Sequence, residues 1–328
     1  MTWWTIYLIC KGSRYIVNKD IAAGIVLFNP DKERFQNCID SVLEQVEHLY
    51  IFDNSTSPVH VPPNPKITYI TENINKGIAF ALNSIMKCAE EDGFFWVLTM
   101  DQDSILPRGM VQDFQMRIKD DNGKTAIFCP QVIDKRRAYM SAMVSDSVIE
   151  VSECITSASC TSIQAWRTVG QFDDWLFIDL VDNDFCKRLS ATGYLIKQVN
   201  NWVLDQEFGK IIPKSPRSQK FWIRLSQLLR NKNIAKFSYN KYVSPMRVYY
   251  TNRNIIYVNR KLEDFGPTAY SNYNCKTYIG FIASFNIPSL LRAQQKRKVL
   301  SAILRGICDG LHSHPAKWKA PSLRYIIR

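Results

Sequence analysis

Blocks of hydrophobic and polar residues alternate along the first two thirds of the chain, and their spacing predicts alternating strands and helices. Short apolar runs typical of buried strands occupy residues 21–28, 49–53, 67–70, 95–100 and 126–130. Apolar residues at helical spacing occupy residues 35–46, 78–89 and 181–192, the last followed by Gly193 as a C-cap. This order predicts an α/β fold with a doubly wound, mostly parallel, Rossmann-like sheet.

The pattern changes after about residue 205, where it predicts no further strand. Amphipathic helices rich in Arg, Lys, Trp and Tyr are predicted over residues 221–229, 246–260 and 290–311. Between the two parts, residues 139–151 predict a hairpin or excursion and residues 157–163 a polar segment.

The N-terminal run Trp3–Cys10 is too short to span a bilayer and shows no small-residue cleavage site. We therefore predict an N-terminal extension over residues 1–20. An α/β domain carrying the ligand sites follows over residues 21–209, and a basic, mainly helical region covers residues 210–328.

The net charge of +12 is divided unevenly between the two main parts. Residues 1–209 carry 19 Lys+Arg and 27 Asp+Glu, a net −8, whereas residues 210–328 carry 23 Lys+Arg and 3 Asp+Glu, a net +20. Such a basic region usually faces nucleic acid or an anionic membrane leaflet. No zinc-finger spacing or RNP-like run accompanies it, which disfavours a nucleic-acid-binding protein. No GxGxxG follows the first strand, which disfavours a dehydrogenase.

The 9 cysteines form no CxxC pair, and no apolar run is long enough to cross a bilayer. We therefore expect a reduced, intracellular protein that does not span the membrane.

Aspartates follow two of the predicted strands, where open α/β sheets bind their ligands. Asp101 and Asp103, in WVLTMDQDS (96–104), can both reach one divalent cation, with Mg²⁺ or Mn²⁺ favoured by oxygen ligands. Asp53, at the end of another strand, can accept a hydrogen bond from the ring N–H of a pyrimidine. The alternative is a polar turn in which such residues cap the next helix.

Two more loop features border the same predicted pocket. Asn29 and Pro30 follow the first strand, and Asn75-Lys76-Gly77 opens a helix whose backbone N–H groups can face phosphates. Asn, Asp and Gly also dominate ordinary turns, so each feature alone has a structural explanation.

A second acidic segment, FIDLVDND (177–184), precedes the helix over residues 181–192. Helix capping and the positive helix end explain one or two of Asp179, Asp182 and Asp184. The remaining aspartate is explained if it acts as a general base with a modestly raised pKa.

Taken together, these motifs resemble glycosyltransferase family 2, in particular its bacterial rhamnosyltransferase branch. The likeness is carried in order by GIVLFNPD (24–31), YIFDNSTS (50–57), NKGIAFALN (75–83), WVLTMDQDS (96–104), FIDLVDNDFCKRLSATGY (177–194), SPMRVYYTNRN (244–254) and ILRGICDGL (303–311). The resemblance implies a GT-A type fold in which a nucleotide-sugar donor lies at the strand ends.

The resemblance also implies roles for individual residues. Asp101 and Asp103 form a DxD-type motif that binds the metal and the donor diphosphate, and Asp182 is the catalytic base with Asp179 in reserve. The implied donor-binding residues are Asn29, Pro30, Asp53, Asn54, Asn75, Lys76, Gly77, Asp101 and Gln102. The residues expected to border the acceptor or the diphosphate are Asp184, Gln206, Arg247, Tyr250 and Arg253.

One position departs from the family pattern. Gln206 stands where many relatives have a histidine that completes the metal shell, and Asp205 or Glu207 could substitute for it. For the C-terminal helices, two explanations stay open: their basic faces lie on an anionic membrane surface, or their apolar faces pack on the core or on a second subunit.

The expected function is inverting transfer of L-rhamnose from dTDP-β-L-rhamnose to a lipid-linked (polyprenyl diphosphate) oligosaccharide, in the synthesis of O-antigen lipopolysaccharide or another surface polysaccharide. The expected location is the cytoplasmic face of the inner membrane, as a peripheral protein. The alternatives are the same fold with a UDP- or GDP-sugar and, from another class, a basic nucleic-acid-binding protein.

Overall fold

The computed structural model of the chain describes residues 19–207 and 209–321, so almost all of the predicted N-terminal extension lies outside the described residues. The strands are β1 (Lys19–Leu27), β2 (Leu49–Asp53), β3 (Ile67–Thr71), β4 (Phe94–Asp101), β5 (Thr125–Ile133), β6 (Val148–Glu150), β7 (Ser159–Ser162), β8 (Leu195–Asp205), β9 (Ile211–Pro213) and β10 (Tyr239–Lys241). The helices are α1 (Lys32–Leu43), α2 (Ile78–Glu91), α3 (Met110–Lys119), α4 (Ile163–Thr168), α5 (Val181–Thr192), α6 (Pro216–Leu228), α7 (Lys232–Ala235), α8 (Pro245–Lys261), α9 (Tyr278–Phe281), α10 (Ile287–Arg292) and α11 (Lys296–His312).

Eight strands form one sheet in the order β3-β2-β1-β4-β7-β5-β8-β6. β3, β2, β1 and β4 are parallel to one another, and β5 is parallel to β8. β7 runs antiparallel between β4 and β5, and β6 is an antiparallel edge strand on β8. This mostly parallel sheet confirms the predicted α/β, GT-A type fold class, and it brings the carboxyl ends of β1, β2 and β4 to one edge.

Both faces of the sheet are covered by helices, as continuous apolar strands require. On one face Phe52 and Val97 pack with Trp166 of α4 and Phe185 of α5 in a single buried cluster. On the other face α1 and α3 cover residues such as Ile25 and Leu98 in a second cluster. Each fully buried large apolar side chain contributes about 1.5–3 kcal/mol to this packing.

The C-terminal region packs on the α/β part and shares its core. Ile255 and Val258 of α8 are fully buried in the same cluster as Trp166. α11 in turn lies against α8, where a Cβ at Gly306 or Gly310 would collide with the α8 backbone at Tyr249 or Arg253. Close contact between these two helices therefore requires glycine at both positions.

Three sequence predictions about elements are wrong in the described residues. β9 and β10 form an antiparallel pair after residue 205, because Ile211 and Tyr239 bury their side chains on these short strands. The polar segment 157–163 contains β7, whose residues Ser159–Thr161 are buried within the sheet. The single helix over 290–311 is two helices, since Ala293 adopts an extended backbone that ends α10.

The described ranges contain no helix that is both long enough and apolar enough to cross a membrane.

Candidate active site

A cavity of about 280 Å³ opens at the carboxyl ends of β1 and β4. Besides these strand ends, its wall contains the loop before α2, the segment before α5 and the first turn of α8. The predicted site residues that line it are Asn54, Asn75, Gly77, Asp101, Gln102 and Asp103. Residues from six of the seven sequence motifs thus meet in one cavity at the strand ends, where α/β sheets bind their ligands.

Asp101 is the last residue of β4 and lies beside Val26 of β1. Its N–H donates to Ser157 Oγ over 3.2 Å, and the Cys38 thiol donates to its carbonyl over 3.3 Å. Burial, together with the nearby carboxylates of Asp103 and Asp182, raises the pKa of the Asp101 carboxyl to about 6. This part of the cavity therefore concentrates negative charge that its protein surroundings only partly offset.

The neighbouring Asp103 lies in a mixed electrostatic environment. Burial raises the pKa of its carboxyl, while the guanidinium groups of Arg34 and Arg136 oppose that shift. Both arginines hold Glu207, at 3.2 Å for Arg34 and 2.9 Å for Arg136. Asp205 pairs with Lys135 at 3.1 Å. Glu207 and Asp205, the residues that could have replaced the missing histidine, are thus engaged with cations.

Gln206 fills the position of that histidine and hydrogen-bonds directly to Asp101. Its Nε2 donates to Asp101 Oδ2. The side chain is only 7% exposed, and its Oε1 has no hydrogen-bond partner among the described residues. An amide oxygen that is buried and unsatisfied beside the Asp101 carboxylate is an available oxygen ligand.

The loop before α2 is fixed by polar side chains and by a required glycine. Asn54 accepts a hydrogen bond from the Lys76 N–H (2.9 Å) and donates to the Gly77 carbonyl (3.0 Å). Asn75 Oδ1 accepts from the Gly77 N–H at 2.9 Å. Gly77 has φ +89°, and a Cβ there would come within 2.7 Å of the Phe177 carbonyl oxygen. Only glycine lets this loop pack against the segment before α5.

The Gln102 side chain is held by two hydrogen bonds to the backbone of Phe28. Its Oε1 accepts from the Phe28 N–H at 2.7 Å, and its Nε2 donates to the Phe28 carbonyl at 3.2 Å. This double hydrogen bond ties the end of β4 to the end of β1, so it holds the two strand ends that carry the cavity.

Asp53, Asn29, Pro30 and Lys76 are not among the cavity-lining residues. Asp53 is 1% exposed, and it accepts hydrogen bonds from the N–H groups of Ser55 and Val59 at 2.8 Å each and from the Tyr69 hydroxyl. Burial would raise the pKa of Asp53, but these hydrogen bonds lower it below its usual range. In this structure Asp53 therefore anchors the loop behind the cavity wall.

Asn29 and Lys76 have contacts of the same supporting kind. Asn29 has φ +46°, and its Oδ1 accepts from the Thr56 N–H over 3.2 Å, which fastens the turn at Pro30 to the loop after β2. The Lys76 ammonium lies 5.5 Å from the centre of the Phe80 ring.

The three aspartates of the second acidic segment have different partners. Asp184 is fully buried and binds Arg188 at 2.6 Å and Lys261 at 2.8 Å. The Asp179 carboxylate forms a salt bridge with the guanidinium of Arg247. Asp182, in contrast, makes no salt bridge with any described residue. Two of the three carboxylates are thus bound to cations inside the protein.

Asp182 lines a pocket of about 10 Å³ that shares Thr156 with the large cavity. Burial raises the pKa of its carboxyl to about 6, with Glu153 and Asp179 adding to the shift and the Asn183 N–H opposing it. A carboxylate with this pKa is mostly ionised at neutral pH and can still accept a proton, which is what a general base needs.

α8 supports the acidic segment through contacts along its length. Arg253 stacks on Trp175, 3.7 Å from the ring centre, and donates to its carbonyl at 2.8 Å. Tyr250 stacks on Phe177 with ring centres 5.1 Å apart. Asn254 donates to the carbonyls of residues 178 and 179 at 2.8 Å each. Arg247, Tyr250 and Arg253 therefore position the loop that precedes α5, and none of them lines the cavity.

The structure adds cavity residues that the sequence did not single out. These are chiefly the apolar or uncharged residues Phe28, Thr156, Phe177, Ile178 and Met246. Phe28 is 47% exposed at the end of a buried strand, which is an unusual place for an aromatic side chain. Phe177, Ile178 and Met246 lie next to charged residues in two of the motifs. Their position in the sequence was therefore the only feature that could have indicated a place in the cavity.

Comparisons with known proteins identify the class of this site. The model of the family "Glycosyl transferase family 2" matches residues 23–148. The dTDP-rhamnosyl transferase RfbF of Shigella flexneri is 25% identical over 264 residues, which cover 75% of this chain and 81% of that protein.

Two solved structures are similar at 10% identity. The structure of GalNAc-T7 with UDP, GalNAc and Mn²⁺ has a TM-score of 0.49 and covers 83% of this chain and 57% of that one. The structure of S. aureus TarS 1–349 in complex with UDP has a TM-score of 0.47 and covers 89% of each chain.

The matched segment spans β1 to the start of β6 and includes the loop before α2 and the aspartates at the end of β4. The chain therefore carries a glycosyltransferase family 2 domain, and it is a glycosyltransferase that resembles the rhamnosyltransferase type.

Proposed function

We propose that the protein transfers L-rhamnose from dTDP-β-L-rhamnose to a hydroxyl group of a lipid-linked oligosaccharide, with inversion at the anomeric carbon. The observation that carries the proposal is the cavity at the ends of β1 and β4, in which Asp101 and Asp103 lie near the proton-accepting Asp182. The similarity to a dTDP-rhamnosyl transferase supports the choice of donor.

The donor occupies the cavity in this proposal, with its diphosphate toward Asp101 and Asp103. The backbone of the loop before α2, which Asn54 holds in place, provides part of the wall. Asp53 and Asn29 keep the loop after β2 in the conformation that borders the nucleoside. Gln102 fixes the distance between the two strand ends on which the donor rests.

A divalent cation fits the donor set at this edge. Asp101, Asp103 and the unsatisfied Oε1 of Gln206 offer the oxygen ligands that Mg²⁺ and Mn²⁺ prefer. The described residues contain no cluster of three or more His, Cys, Asp or Glu arranged for a metal, so water or the donor would complete the shell. When bound, the cation neutralises charge on the leaving diphosphate.

Asp182 is the proposed base. It accepts the proton of the attacking acceptor hydroxyl as the new C1–O bond forms, and the bond from C1 to the donor phosphate breaks on the opposite face. Asp179 is less suited because its carboxylate is bound by Arg247, and Asp184 because Arg188 and Lys261 hold it in the core.

The acceptor is proposed to lie at an anionic membrane surface, on which α6 would rest. The solvent-facing side of this helix combines exposed Phe221 (59%) and Leu228 (79%) with exposed Arg217, Lys220 and Arg224. Each basic side chain near an anionic bilayer adds about 1 kcal/mol of attraction, and exposed apolar side chains insert into the interface.

Vesicle sedimentation tests the membrane part. Phe221→Asn and Leu228→Asn should weaken binding to phosphatidylglycerol vesicles, whereas Met143→Gln, an equally exposed apolar side chain at the edge of the acidic part, should leave it unchanged. Equal binding by all variants would show that α6 does not contact lipid.

The donor assignment is tested with purified protein and a panel of dTDP-, UDP- and GDP-sugars in the presence of Mn²⁺. We expect dTDP-rhamnose to bind most tightly and to release dTDP fastest. If a UDP- or GDP-sugar binds better, the glycosyltransferase class stands and the rhamnose assignment fails. Nuclear magnetic resonance of the transferred sugar would identify the α linkage that inversion requires.

A further inference from the structure

Five cations converge at the junction of the α/β part with the C-terminal region. We call them the basic cluster: Arg137, Lys236, Lys241, Arg247 and Arg292. They come from the loop after β5, the segment around β10, the first turn of α8 and the last turn of α10. They are close enough that Arg292 and Arg137 act on both lysines, and Arg247 acts on Lys241 as well.

Aromatic rings hold two of these cations in place. The Arg137 guanidinium lies 5.3 Å from the centre of the Tyr239 ring, and that of Arg292 lies 5.5 Å from the Phe237 ring. Tyr139 stacks on Tyr239 with ring centres 6.3 Å apart. Such contacts favour the observed positions of the guanidinium groups and offset part of the repulsion between their charges.

Carboxylates in the described residues offset only part of this charge. Asp179 pairs with Arg247, and Asp134 pairs with Arg137 at 3.2 Å but also with Arg136 at 2.9 Å. Lys241 forms no salt bridge with a described residue, and its side chain is exposed to solvent. Protein atoms crowd around it nevertheless and lower its pKa to about 8, as the neighbouring arginines also do. The cluster thus presents excess positive charge to solvent.

The basic cluster adjoins the cavity. Met246 and Ile178 both line the cavity, and they immediately precede Arg247 and Asp179 in the sequence. Asp179 also acts electrostatically on Lys241. The cations therefore begin where the cavity wall meets α8, on the side formed by Ile178 and Met246.

We propose that the basic cluster binds the diphosphate group of the acceptor, at a site separate from that of the donor diphosphate. Guanidinium groups bind phosphate oxygens in pairs, and lysine adds a point charge, so five cations suit a group that carries several negative charges. The inference rests on the proposed transfer to a lipid-linked acceptor and names the part of that acceptor which the protein recognises.

The first experiment measures binding of inorganic pyrophosphate to the full chain by calorimetry in the presence of EDTA, so that no metal at Asp101 and Asp103 recruits the probe. The double variant Lys241→Gln/Arg292→Gln should bind pyrophosphate about tenfold more weakly or worse, because charge-assisted hydrogen bonds are lost. The control Lys296→Gln/Arg297→Gln, which removes two exposed charges at the start of α11, should bind normally. Unchanged affinity in the first variant overturns the proposal.

A second titration separates this site from the donor site. Binding of dTDP with Mn²⁺ should stay within about twofold in the Lys241→Gln/Arg292→Gln variant, since its diphosphate lies elsewhere. Equal weakening of dTDP and pyrophosphate would mean that the cluster serves the donor, and would overturn the proposal. If the wild type fails to bind dTDP yet shows pyrophosphate binding that depends on Lys241, the donor assignment fails and the basic cluster stands as an anion site.

Two further readouts remove ambiguity about folding and about lipid headgroups. In the wild type, pyrophosphate should protect Lys241 and Lys236 from an amine-acylating reagent, as measured by mass spectrometry. Absence of protection overturns the proposal without any variant. Loss of phosphatidylglycerol-vesicle binding in the double variant with unchanged pyrophosphate affinity would assign the cluster to the membrane surface instead, which also overturns it.

Discussion

Two neighbouring regions of this protein each hold several charges of one sign close together. The charges are negative in one region and positive in the other. At the end of β4 and the start of α5, Asp101, Asp103 and Asp182 form an acidic centre, in which burial and nearby carboxylates raise the pKa values of Asp101 and Asp182 to about 6. Next to it, at β10, burial and the arginines of the basic cluster lower the pKa of Lys241 to about 8. In both regions the fold keeps charges together that repel one another.

Elsewhere the protein neutralises its buried charges. Asp184 is held by Arg188 and Lys261, Asp173 by Lys261, and Asp53 by backbone N–H groups and a hydroxyl. The contrast separates supporting carboxylates from those available for chemistry. Like charges that the fold leaves uncompensated mark places where a ligand of opposite charge is expected: a divalent cation at the acidic centre and a diphosphate at the basic cluster.

The largest expected effect is on catalysis at Asp182. The change Asp182→Asn removes the proton acceptor and should lower the transfer rate by about 10²–10⁴-fold. Affinity for dTDP with Mn²⁺ should change little, because Asp182 does not line the donor cavity. The matched control Asp146→Asn alters an exposed carboxylate outside the cavity-lining residues and should retain full activity. Full activity in Asp182→Asn would transfer the role of base to Asp179.

For Asp184→Asn, in contrast to Asp182→Asn, the main expected effect is on protein stability and not on the chemical step. This change leaves Arg188 and Lys261 without their shared buried partner and should lower the free energy of unfolding by about 3–5 kcal/mol. Urea unfolding followed by circular dichroism measures it, again beside Asp146→Asn. A stable Asp184→Asn protein without activity would instead place Asp184 in the chemistry.

The acidic centre should also determine the pH profile. Asp182 acts as a base only when ionised, so kcat/KM should rise with pH up to about 6 and level off above it. Below that value the rate should fall about tenfold per pH unit, as expected for one essential ionisation. A profile measured with saturating Mn²⁺ that stays flat down to pH 5 would contradict the assignment of Asp182.

The smallest expected effect is on stability at the basic cluster. The pKa of Lys241 is about 8 in the folded protein against an ordinary 10.5, so the folded state binds fewer protons between these values and stability should rise with pH across that window. Lys241→Gln should raise the melting temperature at pH 7. The variant should also lack the part of the increase in stability between pH 8 and 10.5 that comes from Lys241. A lower melting temperature in the variant would show that the ammonium stabilises the fold.

The donor side of the site was largely predictable because its residues follow strands of one sheet. Continuous apolar runs indicated β2 and β4, and parallel pairing then placed Asn54 and Asp101 at the same edge. Sequence could not show that Asp53 points into a loop, because hydrogen bonds from Ser55, Val59 and Tyr69 depend on how the chain turns after β2.

The acidic segment shows where sequence reasoning reached its limit. Helix α5 was predicted with its observed bounds and C-cap. Asp182 and Asp184 lie two positions apart on it and therefore point to nearly opposite sides of the helix. One reaches the pocket, whereas the other reaches Arg188 one turn later. Which carboxylate faced which side depended on packing against α8, more than 60 residues away along the chain.

The basic cluster was beyond sequence reasoning for a related reason. The excess of Lys and Arg after residue 210 was evident, but Arg137 belongs to the acidic part of the chain. Its approach to Lys241 depends on β10, a strand of three residues that no periodicity could indicate. Short elements that bring distant segments together leave little pattern in the sequence.

The central claim is that the acidic centre binds the donor with the help of a cation, and calorimetric titration of dTDP-rhamnose tests it most directly. The titration compares the wild type with Asp103→Asn, each with Mn²⁺ and with EDTA. We predict tight binding only for the wild type with Mn²⁺, because the two carboxylates and Gln206 supply the oxygen ligands. Equal binding under all four conditions would contradict the claim.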